Sequence, residues 1–444
     1  SVGCTEGHRP VRQMMHRLRL AAALSAAVAG AGAGAASALM PQAQDGISEV
    51  MPSVVEWRRD IHAHPELGNR EFRTAALVAR HLESLGMEVR REVAHTGVVG
   101  VLRGGDGPVV ALRADMDALP VKELVDLPFA SKVTTEYNGA EVGVMHACGH
   151  DNHVAILMGV AEVLAGLGDD LPGTVKFIFQ PAEEGAPEGE EGGADLMLRE
   201  GAFENPQPEV VFGLHVFPFP VGVIATRPGG LMASSDFYRI TVNGQQTHGA
   251  VPWAGIDPIV TASQIVLGLQ TIPSRQLDAT LTPSIVTVGR ISGGVRNNII
   301  PESVEMVGTI RTFDSDTRMD IHRRVQRTAE NIAASAGASA EVEVDLGYPV
   351  TRNDPALYRR MAPTLQRVAG DGFIEARPTT TAEDFSYFAQ EVPGLFLFLG
   401  VAPDDPELVH PNHSPRFYAD ERALPVGVRA LTALTLDYMA DSGG

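Results

Sequence analysis

The sequence predicts an α/β protein, an open mixed sheet covered by helices, into which a ferredoxin-like α+β domain is inserted. Three observations predict it. Short apolar runs at Val109 to Leu112, Thr174 to Phe179, Val210 to Leu214 and Leu395 to Leu399 read as strands buried on both faces, and they alternate with stretches of helical periodicity. Polar residues gather just past those runs: Asp115, the pair Glu183 and Glu184, His215, and a loop reaching His413. From about Met232 to Leu346 the texture changes to the order β-α-β-β-α-β.

Along the chain, residues 1–45 read as a targeting segment. Arg12, Arg17 and Arg19 precede an Ala/Gly-rich apolar run from Leu20 to Met40, with small residues Ala36, Ser37 and Ala38 near its end. That is the layout of a cleaved secretory signal. A membrane anchor or a buried helix is the competing reading, weakened by the low hydrophobicity of Ala and Gly. Residues 46–231 form the first part of the sheet domain, with helices at Ser53 to Ile61, Glu71 to Leu85 (stopped by Gly86) and His153 to Leu167. Residues 232–346 form the insert. Its strands are Phe237 to Val242, Ser284 to Val288, Val304 to Thr312 and Ala340 to Val344, and its helices Ile256 to Leu269 and Thr317 to Ala334. Residues 347–444 return to the sheet domain.

A length of 444 residues exceeds one ordinary core and favours two domains. Hydrophobic residues at 44% and charged residues at 20% describe a globular chain. The net charge of −20 argues against nucleic acid, since phosphate binding needs a basic surface. With Cys4 upstream of the expected cleavage site, the mature chain keeps Cys148 alone, and no intrachain disulfide forms.

The strongest local signal is Met145-His146-Ala147-Cys148-Gly149-His150-Asp151. In an extended segment the side chains of Cys148 and His150 point the same way, and a thiolate with an imidazole suits a borderline-soft cation such as Zn²⁺. Asp151 is then placed to hold a ligand ring in its tautomer. Two other readings stay open: Cys148 and His150 as nucleophile and base, or as ordinary buried residues. In Glu183-Glu184 adjacent side chains diverge, so one carboxylate can bind metal while the other faces a water whose pKa the metal lowers toward about 7. The free glutamate takes the proton and passes it to the leaving nitrogen. Glu188, Glu190 and Glu191 follow, so a solvated acidic loop is the alternative for the pair alone.

These segments, with Arg113-Ala114-Asp115-Met116-Asp117-Ala118-Leu119-Pro120, Gly213-Leu214-His215-Val216 and His413-Ser414-Pro415, occur in the order found in a known family. From about Val54 to the C-terminus the chain resembles the di-metal amidohydrolases that include hippurate hydrolases, bacterial aminoacylases and carboxypeptidases, and plant auxin-conjugate hydrolases. The resemblance implies that Cys148 bridges two divalent metals, Zn²⁺ or Mn²⁺ with Co²⁺ as a further option. It implies His150, Glu184, His215 and His413 as the other ligands and Glu183 as the base. His150 is paired with His215 on one ion, and Glu184 with His413 on the other.

The insert also fits this family, as a lid and dimerisation module. Thr247-His248-Gly249-Ala250-Val251-Pro252 resembles the lid motif whose histidine reaches a neighbouring active site and stabilises the oxyanion; a turn-capping His248 is the alternative. Asn297-Asn298-Ile299-Ile300-Pro301 and Gly308-Thr309-Ile310-Arg311 resemble segments that hold the substrate carboxylate, implying Asn298 and Arg311 as substrate-binding. Arg311 suits the task because its planar fork matches a carboxylate, against the alternative of a strand-face ion pair. Trp253 and Asn152 depart from the family pattern, as does Thr380 to Phe385, but no implied ligand is missing.

The resulting expectation is a secreted or periplasmic N-acyl amino acid amidohydrolase acting as a homodimer or higher oligomer on a small-molecule amide or short peptide. No nucleic acid and no stable membrane association are expected. A dipeptidase or metallocarboxypeptidase is the nearest alternative. A catalytically silent small-molecule binder is the alternative from another class.

Overall fold

The computed structural model describes the backbone of residues 14–441 and the side chains of residues 39–440. The targeting reading of residues 1–45 rests on side chains outside that range, up to Ala38, and Cys4 is outside it entirely. Among the described residues no helix is long and apolar enough to cross a membrane.

A long helix, α1 (Met14–Ala63), leads to α2 (Phe72–Ser84), the hairpin β1 (Glu88–Val93) and β2 (Gly97–Leu102), and β3 (Val109–Asp115). A small hairpin of β4 (Thr134–Tyr137) and β5 (Ala140–Gly143) precedes α3 (His150–Ala165), β6 (Thr174–Gln180), α4 (Gly193–Arg199), β7 (Val210–Pro220), β8 (Ile224–Thr226) and β9 (Gly229–Met232). The inserted segment holds β10 (Asp236–Asn243), β11 (Thr247–His248), α5 (Pro258–Thr271), β12 (Ser284–Gly293), β13 (Ile299–Ile300), β14 (Ser303–Thr312), α6 (Ser315–Ser335) and β15 (Ser339–Asp345). The chain closes with β16 (Thr351–Asn353), α7 (Pro355–Ala369), β17 (Phe373–Glu375), α8 (Phe385–Glu391), β18 (Gly394–Ala402) and α9 (Leu424–Asp441).

The main sheet runs β1-β2-β6-β3-β7-β18-β8-β17. Its centre, β6-β3-β7-β18, is parallel. The β1–β2 edge and the β18–β8 pairing are antiparallel, so the sheet is mixed. On one face α1, α3 and α9 pack together, and Val54, Ile156 and Leu431 join Leu112 and Phe212 in one core. On the other face Met197, Phe385 and Phe388 from α4 and α8 cover Val211 and Phe396. Helices on both faces explain why the central strands read as unbroken apolar runs. Full burial of a side chain such as Phe212 or Phe396 contributes about 1.5–3 kcal/mol.

The second sheet runs β12-β14-β10-β15, antiparallel throughout. The buried alternation of β10 and the i, i+4 series Ile321, Val325 and Ala329 on α6 give it a core of its own with Ile240, Ile265 and Met306. Asp257 and Asp314 cap α5 and α6 by accepting backbone N–H bonds. The strand order matches the β-α-β-β-α-β reading of the sequence.

Candidate active site

The parallel strands aim their carboxyl ends at one edge of the sheet, where open α/β sheets bind ligands. Asp115 closes β3 and Asp117 follows it; Glu183 and Glu184 lie in the turn after β6. His215 sits within β7, which continues past it to Pro220. His413 comes from the loop after β18, its backbone at φ +69° and its N–H donating to Ala147 O at 2.8 Å.

Two local expectations are corrected. Cys148 and His150 do not lie in an extended segment. Helix α3 begins at His150, three positions before the expected start, and Gly149 at φ +95° turns the chain into it. A Cβ at that glycine would lie 2.3 Å from Val216 Cγ2, so both the backbone angle and the space select glycine. Glu183 and Glu184 likewise occupy a turn, entered through Ala182 at φ +51° and left through Gly185 at φ +109°. These turns, rather than strand alternation, separate the side chains.

The arrangement converges. Cys148 Sγ lies 3.3 Å from His215 Nε2, and Glu184 Oε1 lies 3.0 Å from His413 Nε2. His150 Nε2 is 3.8 Å from Glu183 Oε2 and 4.0 Å from Glu184 Oε1. The donor atoms of Cys148, His150 and His215 all fall within 4.8 Å of one another, as do those of Cys148, Glu184 and His413. Cys148 belongs to both groups. His150 Nδ1 is held by Asp117 Oδ1 at 3.1 Å and His215 Nδ1 by Val216 O at 2.7 Å, which turns the Nε2 atom of each ring toward the centre.

Around this centre the charges are lopsided. Burial, with Glu184 and Glu183 beside it, raises the Cys148 thiol pKa well above its ordinary value. Burial also raises Glu183 well above the usual carboxylate range, reinforced by Glu383 and Glu184. His150 is pushed up to about 10 because Asp115 and Asp117 outweigh its burial. His215 is driven down by burial and by His153. An acidic, buried cluster of this kind has room for added positive charge.

The residues fit divalent cations on two observations. His150 Nε2 is buried without a hydrogen-bond partner, although it faces the carboxylate oxygens of Glu183 and Glu184. The set of one sulfur, imidazole nitrogens and carboxylate oxygen is that of borderline-soft metals.

Several supporting residues were not found from sequence. Arg113 is wholly buried and bonds Asp115 Oδ2 at 2.6 Å, Glu383 Oε1 at 2.8 Å, Asp384 Oδ1 at 2.9 Å and Gln180 Oε1 at 2.8 Å. His153 pairs with Asp115 through Nδ1 and accepts the Val216 N–H through Nε2 at 2.8 Å. Its i+3 spacing from His150 on α3 was the available signal. Contrary to the expectation from the sequence, Asp151 orients no ligand ring; it accepts from Arg58 at 2.9 Å and pairs with His62 at 2.8 Å, while Asp117 takes the orienting role.

Of the residues assigned from the sequence, the structure gathers Cys148, His150, Glu183, Glu184, His215 and His413. His248 lies on β11, Asn298 just before β13, which pairs with β11 in a separate two-stranded sheet, and Arg311 on β14; among the described residues no hydrogen bond or ion pair joins them to the cluster. His248 and Asn298 are exposed, and Arg311 is half-buried.

Comparison with known proteins agrees with this geometry. Thermostable carboxypeptidase 2 of Saccharolobus solfataricus is 39% identical over 404 residues, spanning 90% of this chain and 99% of its own. N-acetylcysteine deacetylase of Bacillus subtilis is 38% identical over 386 residues, spanning 86% of this chain and 96% of its own. The crystal structure of the YXEP protein of Bacillus subtilis, described as a dinuclear metal binding peptidase, has a TM-score of 0.75 at 35% identity, covering 89% of this chain and 99% of that one. Residues 111–437 match the model of Peptidase family M20/M25/M40, and with relatives this similar along nearly their whole length the chain belongs to that family.

Proposed function

We propose that the protein hydrolyses the amide bond of N-acyl amino acids at a pair of divalent metal ions. Cys148, His150 and His215 would hold one, and Cys148, Glu184 and His413 the other. The sharing of Cys148 between two donor groups, with Glu183 beside them, carries this reading. Zn²⁺ and Mn²⁺ suit that donor mixture, and Co²⁺ is chemically close. When bound, such ions polarise an amide carbonyl and lower the pKa of water toward about 7.

The remaining work belongs to side chains of this chain. Glu183 takes the proton of the attacking water on a carboxylate oxygen and returns it to the leaving nitrogen. Burial, with Glu383 and Glu184 beside it, raises the Glu183 pKa above the usual carboxylate range, the direction that favours handing the proton back to the leaving nitrogen. Arg311 binds the substrate carboxylate. Its half-buried guanidinium has no hydrogen bond or ion pair among the described residues, which leaves its fork open to a ligand. Asn298, exposed on the same insert, supplies an amide to that carboxylate. His248 Nδ1 accepts the Ala250 N–H at 3.0 Å, so the ring proton sits on Nε2 and is free to be donated to an oxyanion.

The segment 232–346 is proposed as the lid and dimerisation domain, set between sheet-domain parts 46–231 and 347–444. Exposed Ile285 and Ile291 on the edge strand β12, with Ile259, Val260 and Leu267 on α5, support a covered face in a homodimer. A secreted or periplasmic location is proposed from the Arg-apolar-small order of residues 1–45.

The carboxypeptidase relative makes cleavage of a C-terminal residue from short peptides the nearest alternative. One panel tests both: N-acyl amino acids, dipeptides and their C-terminal amides, assayed with metal, after chelation, and with Glu183→Gln. Turnover of N-acyl amino acids should vanish on chelation, return with Zn²⁺, Mn²⁺ or Co²⁺, and fall about 10²-fold or more in kcat with bound metal retained in Glu183→Gln. Full activity in verified metal-free protein, or preference for dipeptides, would overturn the proposal.

A further inference from the structure

The peptide unit joining Glu183 to Glu184 is held at both of its polar ends. Its N–H donates to Asp117 Oδ2 at 2.9 Å, and its C=O accepts the Tyr348 hydroxyl at 2.7 Å. A peptide is planar, so two bonds at opposite edges set the rotation of the whole plane, and with it the directions in which the side chains of Glu183 and Glu184 leave the backbone. The flanking Ala182 and Gly185 both sit at positive φ, which turns the chain on either side of this peptide. Ala182 is tethered one step upstream, where its N–H donates to Glu71 at 2.9 Å.

Asp117 and Glu71 belong to the sheet domain. Tyr348 is different. It follows the last strand of the insert, and its backbone is tied to both ends of that insert. Tyr348 O accepts the Ser235 N–H at 2.9 Å. Gly347, beside it, donates its N–H to Asp236 Oδ1 at 3.2 Å and accepts from Arg318 Nη2 at 2.9 Å. Asp236 is itself clasped by Arg318 and by His322 Nε2, the latter at 2.8 Å. A Cβ on Gly347 would lie 1.7 Å from Ser235 O, so this crossing admits no other residue without backbone movement. The Tyr348 ring stands edge-on to Tyr387 of α8, with centroids 6.2 Å apart.

We infer that Tyr348 is a positioning residue for Glu183: its hydroxyl, opposite Asp117, orients the Glu183–Glu184 peptide, and its backbone makes that orientation depend on the placement of the inserted sheet. The inference rests on Glu183 being the general base. The inserted sheet thus acts on the base through one neutral hydrogen bond, and among the described residues no side chain of that sheet is hydrogen-bonded or ion-paired to the cluster.

The test compares Tyr348→Phe, Arg318→Lys, the double variant and Glu183→Gln on one N-acyl amino acid, with bound metal and melting temperature measured for each. Phenylalanine keeps the ring packing and removes only the hydroxyl. Lysine keeps the charge toward Asp236 and loses the fork that reaches Gly347 O. Tyr348→Phe should lower kcat by about tenfold, the scale of one neutral hydrogen bond, with KM, metal content and melting temperature close to wild type. Arg318→Lys should lower kcat in the wild-type background and have no further effect in Tyr348→Phe. An unchanged kcat in Tyr348→Phe overturns the inference, as does a fall that tracks lost metal or lost stability. Additive effects in the double variant overturn the dependence on the inserted sheet. An active Glu183→Gln would sink the assignment of the base itself, whereas an inactive Glu183→Gln beside a wild-type Tyr348→Phe would sink only the role of Tyr348.

Discussion

Asp117 reaches His150 with one carboxylate oxygen and the backbone of Glu184 with the other, at 3.1 Å and 2.9 Å. A single buried side chain therefore orients a donor in each of the two groups that share Cys148. Asp117→Asn retains the shape but weakens the acceptor facing the imidazole. Loss of such an outer partner typically costs about 10–100-fold in metal affinity. Titration of the metal-depleted variant should show that loss, with activity recovering at higher metal concentration. Wild-type affinity would mean that Asp117 only shapes the loop.

Removing the open guanidinium of Arg311 should discriminate between charged and neutral substrates. A hydrogen bond to a charged group contributes about 1.5–3 kcal/mol, so Arg311→Met should lower kcat/KM for N-acyl amino acids by about 10–100-fold. The matching C-terminal amides should be nearly unaffected. Equal losses on both would assign Arg311 a role in the packing of β14.

His248 should complete a site in a second subunit. Loss of one oxyanion donor typically lowers kcat by about 10²–10³-fold, so His248→Ala and Glu183→Gln should each be nearly inactive. Mixed under conditions of subunit exchange, they should regain part of the activity, because one site of the mixed dimer holds both wild-type residues. No recovery with exchange verified would place the action of His248 in its own subunit or nowhere.

Stability should carry an acid-sensitive contribution from the clasp at the root of the insert. Burial raises the Asp236 pKa, but hydrogen bonds from Arg318 and His322 outweigh it, and the net shift is downward. A carboxylate with a lower pKa in the folded state stabilises above its unfolded value, about 3.9. That contribution is lost as pH falls through the folded value. Asp236→Asn leaves the nearly buried Arg318 without its counter-charge, which typically costs about 3–5 kcal/mol. Urea midpoints should therefore differ strongly between wild type and variant at pH 7 and converge below about pH 4. A difference independent of pH would show that the charge of Asp236 is not what matters.

The sequence alone determined the class of fold and pointed to the residues that the structure gathers at the centre. Apolar runs buried on both faces and the period change near Met232 are local patterns, readable because strand and helix periodicities are fixed by backbone geometry. Glu183, Glu184 and His215 were legible because polar residues recur after apolar runs, Cys148 and His150 as a local thiol–imidazole pair, and the full set with His413 through the resemblance of its ordered motifs. The short strands β8, β9, β16 and β17 carry too few residues for a period. What only the tertiary structure decided is which side chain answers which. Arg113 meets Glu383 across 270 positions, Tyr348 meets the Glu183 backbone across 165, and Asp151 faces Arg58 rather than a donor ring. A hydrogen-bond partner is chosen by distance and angle to atoms on other elements, and no spacing along one chain segment encodes that choice.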